Sequence, residues 1–191
     1  MFKQIIDSIA RYTSLDKSEQ EYFVNKLEVR HYNKKEVILQ EGKVCNYTYF
    51  INKGCLRYYY IIEGKENTAQ FFFENAWYTD FESFLSGKPT KQNIEALEKT
   101  ELLLLSSKDL KEVYNEIPKF ERLGRQMAEN AFLGVRHRNE MLENHSAEER
   151  YLMLIKERPK VFERIPQHYI ASYLGIQPES LSRIRKKISV K

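Results

Sequence analysis

The run from Pro166 to Ile188, P-Q-H-Y-I-A-S-Y-L-G-I-Q-P-E-S-L-S-R-I-R-K-K-I, admits few folds. Ile170, Ala171 and Leu174 are spaced to line one face of a short helix. Gly175 can take the positive φ that ends such a helix. Gln177 then leads into Pro178, which suits the first turn of a second helix because an N–H there has no partner anyway. Leu181, Ile184 and Ile188 form the inward face of that second helix, and Ala171 is small where the two helices must cross. The spacing predicts a helix-turn-helix of the kind that enters the major groove of DNA.

The outward face carries the chemistry. Glu179, Ser182, Arg183 and Lys186 fall at i, i+3, i+4 and i+7 and share one stripe. Arg donates two hydrogen bonds to guanine, and Glu accepts from the cytosine amino group. The expected DNA-contacting set is Gln177, Pro178, Glu179, Ser180, Ser182, Arg183, Arg185, Lys186 and Lys187, with Arg185 and Lys187 flanking the stripe toward phosphates. Glu179 and Arg183 are also spaced to pair with each other. The plainer alternative is a helical hairpin with a solvated basic face.

The charge distribution favours the DNA reading. From Ser146 onward there are 10 Lys and Arg against 5 Asp and Glu, whereas the residues before it hold 21 against 22. The basic excess therefore sits in the C-terminal segment, as expected if only that part meets a polyanion. No apolar run approaches a membrane span, and Met1–Thr13 lacks a signal-peptide core, so a cytoplasmic protein with no membrane partner is expected. Two cysteines fit a reducing compartment and are too few for a Cys₄ cluster.

Upstream, Met1 to about Val29 reads as two helices, with Phe2, Ile5, Ile6 and Ile9 on one face. From His31 to about Ser106, strand-like runs alternate with glycine turns: Val37–Leu39, Tyr47–Ile51, Leu56–Ile62, Thr68–Phe73, Ile94–Leu97 and Leu102–Leu105. Their spacing predicts a sandwich or small barrel. Its many aromatics are most simply core residues, with ligand stacking by Tyr58, Tyr60 or Phe72 as the alternative. Ser106 opens a short helix ending near Ile117-Pro118. Pro118–Glu143 then reads as one long helix. Its stripe of Phe120, Leu123 and Met127, with Ala131 nearby, is the expected dimer interface, with simple packing on the β-roll as the alternative. Ser146-Ala147-Glu148-Glu149 is a capping box that starts the next helix, with Tyr151, Leu152, Leu154 and Ile155 as its core face. The expected organisation is a sensor domain (1–117), a dimerisation helix (118–143) and a helix-turn-helix domain (144–191).

This arrangement resembles the Crp/Fnr family of bacterial transcription regulators. The carrying residues are Lys53-Gly54-Cys55-Leu56-Arg57, Gln70-Phe71-Phe72-Phe73 and Ile176-Gln177-Pro178-Glu179-Ser180-Leu181-Ser182-Arg183. The resemblance implies an α+β chain: an N-terminal β-roll or jelly roll with flanking helices, a long dimerisation helix and a C-terminal helix-turn-helix domain. It also implies a homodimer on double-stranded palindromic DNA, with RNA polymerase and an unidentified small-molecule effector as possible further partners.

Three departures shape the expected activity. Family members that bind cyclic nucleotides carry a Gly-Glu pair and an Arg followed by Ser or Thr and Ala. Here the stretch reads Thr79-Asp80-Phe81 and then Thr90-Lys91-Gln92. A buried phosphate needs opposed charge and donors, so cyclic AMP is not expected, and Lys88 or Lys91 would substitute only partly. Any effector pocket is expected at Thr79, Asp80, Thr90 and Gln92. Pro178 stands where readers of the cyclic-AMP type often carry Arg, so the operator should differ. Only Ser189-Val190-Lys191 follow the recognition helix, so little or no wing is expected.

Other classes find less support. The histidines His31, His137, His145 and His168 lack metal-ligand spacing, and neither a metal nor an iron–sulfur cluster is expected. Cys45 and Cys55 read as small buried apolar residues. No nucleophile elbow, P-loop or paired-carboxylate motif is present, so an enzyme is not expected. The alternative is a small-molecule or cyclic-nucleotide-binding module whose helix-turn-helix is a relic.

Overall fold

The computed structural model describes residues 2–189. Helices α1 (Lys3–Ala10) and α2 (Lys17–Asn25) open the chain. Asp16 caps α2 and forms a reciprocal capping box with Glu19. Strands β1 (Glu28–Tyr32), β2 (Val37–Leu39), β3 (Tyr47–Lys53), β4 (Leu56–Ile62), β5 (Lys65–Phe72) and β6 (Trp77–Tyr78) follow. A short helix α3 (Phe81–Ser86) precedes β7 (Asn93–Ala96) and β8 (Thr100–Ser106). Then come α4 (Ser107–Glu116), a 3₁₀ turn at Pro118–Phe120, and the long α5 (Glu121–Asn144). Helices α6 (Ala147–Glu157), α7 (Lys160–Arg164), α8 (Gln167–Tyr173) and α9 (Pro178–Ser189) complete the described chain.

The strands form two four-stranded sheets, ordered β1-β8-β3-β6 and β2-β7-β4-β5. In the first, β8 runs antiparallel between β1 and β3, with Leu104 opposite Glu28 on one side and Tyr49 on the other. This placement accounts for the unbroken Leu102–Leu105 run. A central strand covered on both faces needs no polar alternation. Leu103 and Leu105 face the helices, and all four leucines are buried. Two strands escaped the sequence pattern. The helical reading through Val29 ends at Asn25, and β1 forms by pairing with β8, more than 65 residues away. Strand β6 has only two residues, too few to show a period.

The chain divides into two compact units. The first is Met1–Arg57 with Phe72–Ala131. Its core packs Ile5, Ile9, Phe23, Phe50, Val113 and Phe120 together, with Leu123 from α5 closing the cluster. Phe23 and Phe120 meet ring to ring at 5.0 Å between centroids. The second unit is Tyr58–Phe71 with Phe132–Lys191. Its strand segments turn through Glu63 and Gly64, both at positive φ, which matches a two-residue hairpin. Tyr151, Leu154, Val161, Ile170, Leu174 and Leu181 are buried among its helices.

The expected core face of α6 is half right. Tyr151 and Leu154 are buried, whereas Leu152 and Ile155 are exposed. One helical face takes residues three apart, and two adjacent pairs sweep too wide an arc to be buried together.

Candidate nucleic-acid interface

The turn between α8 and α9 is built as the residues require. Gly175 sits at φ +68. Its N–H donates to the Ser172 carbonyl at 3.0 Å, and the Ile176 N–H donates to the Ala171 carbonyl at 3.0 Å. This pair is a Schellman ending, which satisfies the last carbonyls of α8 and redirects the chain. Ala171 is fully buried between the helices, and Leu181 anchors α9 from below. Ile184 and Ile188 are half-buried on the same side.

The opposite side of α9 is open. Glu179, Ser182, Arg183, Arg185, Lys186 and Lys187 are all exposed, together with Gln177 and Pro178 before them, while Ser180 is half-buried. The Arg183 guanidinium donates to Ser180 Oγ at 3.2 Å, one turn back, so the spaced Glu179 is not its partner. Lys187 is also tied down within its unit. Its ammonium pairs with Glu148 on α6 at 2.6 Å, so it braces the helices as well as adding charge. A long flexible lysine offers no sequence sign of which carboxylate, 39 residues away, will hold it.

Several residues that hold this unit together were invisible in the sequence. Ser172 on α8 accepts from the Thr68 N–H at 2.9 Å and donates to the Glu66 carbonyl at 3.1 Å. Arg158 donates to the Gln70 side chain and to the Phe71 carbonyl. The Arg138 guanidinium lies 4.1 Å from the ring centre of Tyr173, which also meets Phe71. Burial pulls the Arg138 pKa below the ordinary guanidinium range. Apart from Arg138 on Tyr173, these contacts join residues 87 to 106 positions apart, a separation over which no local pattern operates.

The residues expected as an effector pocket do gather, but they satisfy one another. Asp80 caps α3 and also accepts from the Thr90 hydroxyl. Thr90 Oγ1 accepts from the Gln92 N–H at 3.0 Å, and Gln92 Oε1 accepts from the Tyr78 hydroxyl at 2.6 Å. Thr79 donates to the Tyr47 carbonyl at 3.1 Å. Thr79, Asp80 and Thr90 are buried. The charged member of this cluster is a carboxylate, the wrong sign for a phosphate.

The expected dimer set is the clearest correction. Phe120 and Leu123 are buried in their own unit's core, and Met127 packs against it. Phe120 faces inward from the 3₁₀ turn, and Leu123 and Met127 from the first turns of α5, which cover the first sheet. The open apolar positions lie further along: Phe132, Val135 and Leu142 are 66%, 58% and 38% exposed. With Asn139 they repeat at alternating steps of three and four, the spacing of a heptad face. Ala131 is half-exposed beside it.

The histidines are dispersed, and among the described residues no group of three or more His, Cys, Asp or Glu could hold a metal ion. Cys45 and Cys55 are free thiols, both buried. No helix of the described residues is long and apolar enough to cross a membrane. The residues on which a wing would depend, beyond Ser189, lie outside the described residues.

Residues 29–116 match the model of the cyclic nucleotide-binding domain family. FixK2 from Bradyrhizobium japonicum superposes with a TM-score of 0.75 at 19% identity, covering 86% of this chain and 85% of that one. The chain has the fold of a Crp/Fnr regulator. The c-di-GMP-responsive global regulator CLP of Xanthomonas campestris gives a TM-score of 0.72 at 16% identity, covering 92% of each chain. A protein from Eubacterium rectale, described as a transcriptional regulator of the Crp/Fnr family, gives 0.71 at 18%, covering 92% of this chain and 84% of that one. No curated protein matches the sequence. In this Crp/Fnr fold the domain match spans β1 to α4, so the Asp80–Thr90 cluster falls inside it and the helix-turn-helix outside it.

Proposed function

We propose that this chain is a DNA-binding transcriptional regulator that acts as a homodimer on a palindromic operator. The observation that carries the reading is α9 itself. It is held from below by Leu181 and a Schellman turn, and it turns Glu179, Ser182, Arg183 and Lys186 to solvent on one stripe. In this reading Arg183 takes a guanine, Glu179 a cytosine amino group, and Arg185 and Lys186 meet phosphates. Gln177, Pro178 and Ser180 set the entry of the helix N-terminus into the groove.

A dimer would match a palindrome. A two-fold axis along the seam of Phe132, Val135, Asn139 and Leu142 would present two α9 helices to half-sites about 10 base pairs apart, one turn of DNA. Residues 1–117 act as the sensor, 118–143 as the dimerisation helix and 144–191 as the reader. The sensor does not take cyclic AMP, because Asp80 and Thr90 occupy each other where donors to a phosphate are needed. The chain is not an enzyme and works in the cytoplasm.

The test is selection of DNA from a random pool with purified protein. The reading expects an enriched inverted repeat with half-site centres about one helical turn apart. Enrichment of unrelated sequences, or none, rejects it.

A further inference from the structure

Beneath α3 and α4, within the first unit, lies a hollow of about 320 Å³ that no part of the DNA-reading account uses. It is on the helix-covered side of the first sheet, and none of Thr79, Asp80, Thr90 and Gln92 lines it. Trp77, Phe81, Phe84, Leu105, Leu123 and Met127 give it an apolar lining. This size, with apolar walls, matches a small-molecule site, at the lower end of the usual range.

Its polar groups are few and aligned. Ser107, Lys111 and Tyr114 line it from α4 at i, i+4 and i+7, one helical stripe. Lys111 is exposed and Tyr114 half-buried; the Tyr114 ring meets Phe120, but among the described residues neither polar head has a hydrogen-bond or ion-pair partner. Gly124 on α5 makes room for the phenol, since a Cβ there would stand 2.0 Å from the Tyr114 hydroxyl. Burial first, and Glu121 second, push the Tyr114 pKa up, which keeps its hydroxyl a donor. One ammonium and one phenol O–H on the wall of an apolar hollow form a receptor for a single anionic head on an apolar body.

We propose that this hollow binds a small monocarboxylic acid with an apolar chain, the carboxylate on Lys111 and Tyr114 and the chain against Trp77, Phe84 and Met127. Binding stands independently of the DNA reading. Only its consequence, a change in operator affinity, rests on the proposed function.

The lone tryptophan of the chain, Trp77, lines the hollow and reports on it. Decanoate is titrated into the full-length protein below its aggregation concentration, with tryptophan fluorescence as readout. Decan-1-ol and decylamine serve as controls. The expected result is a saturable change with decanoate, at least 10-fold tighter than with decylamine. Lys111→Met should weaken decanoate about 10-fold and leave decan-1-ol unchanged, since a charge-assisted hydrogen bond is lost while the apolar walls remain. Ala128→Phe, at an exposed position on the rim, should abolish both responses. No saturable change with decanoate, at protein concentrations where the chain is monomeric as well as dimeric, overturns the proposal. Binding that ignores both substitutions overturns it too, by placing the ligand elsewhere. If decanoate binds as expected but operator affinity is unmoved, the site stands and its regulatory consequence fails.

Discussion

Two glycines carry the motifs of this chain, and replacing each with alanine should cost differently. Gly175 sits at φ +68, and an added Cβ would meet only Leu142 Cδ2, at 3.4 Å. The neighbour is the end of a flexible side chain, so Gly175→Ala should pay the left-handed strain alone, about 1–2 kcal/mol. Gly54 sits at φ +103, and its Cβ would stand 2.3 Å from Thr100 Oγ1 and 2.8 Å from Thr100 Cα. Thr100 cannot yield easily. It is buried, its hydroxyl donates to the Glu98 carbonyl at 2.9 Å, and its backbone lies in β8. Gly54→Ala therefore adds about 1–3 kcal/mol of overpacking to about 1–3 kcal/mol of backbone strain. A domain of ordinary stability has about 5–15 kcal/mol in all, so a loss near the upper end threatens the first unit. Urea denaturation followed by circular dichroism measures both variants. Gly54→Ala/Thr100→Ala should recover only part of the loss, because the contact with the Thr100 backbone remains. Equal midpoints for Gly54→Ala and Gly175→Ala would refute the reasoning.

Further outcomes follow from the same geometry. Phe132→Glu with Val135→Glu should give a folded monomer in sedimentation, whereas Leu123→Glu should unfold the first unit, since burying a lone carboxylate costs several kcal/mol. A double variant that stays dimeric moves the seam elsewhere. Calorimetry with cyclic AMP should show no binding at micromolar concentration, and heat that saturates there would overturn the account of the Asp80–Thr90 cluster. The Ser146 hydroxyl and N–H hold the Glu149 pKa below its ordinary carboxylate value. That contribution is present above the unfolded carboxylate pKa, about 4.3, and is lost as pH falls through the lower folded value. Glu149→Gln should therefore flatten the acid limb of a stability–pH curve, and an unchanged limb would count against the box.

Local signals were the legible ones. Ser106, Ser146, Gly175 and Pro178 each act through neighbours within a few residues, and the helices begin and end where these residues require. Strands β2 and β4 fall on the runs expected for them, because Val37–Leu39 and Leu56–Ile62 are bounded by turn residues. Which face of α5 looks inward was not legible. Phe120-Leu123-Met127 and Phe132-Val135-Leu142 both have helical spacing, and only the sheet beneath decides which is covered. The bonds of Ser172, Arg158 and Arg138 to the β4–β5 hairpin segment are of the same kind, made across long separations by side chains with no local signature. The reading stripe of α9 was legible as a pattern, but the hold of Glu148 on Lys187 was not.

The most direct test asks whether α9 reads base edges. The selected operator is mutated one pair at a time, and binding of wild type, Arg183→Ala and Lys186→Ala is measured at two salt concentrations. A bidentate base contact is worth about 1–3 kcal/mol of discrimination, so Arg183→Ala should lose preference at one base pair in each half-site and keep its non-specific affinity. Lys186→Ala should weaken every sequence alike and lower the salt slope by about one. If Arg183→Ala weakens all sequences equally, Arg183 clamps a phosphate and this face of α9 is not the reading head.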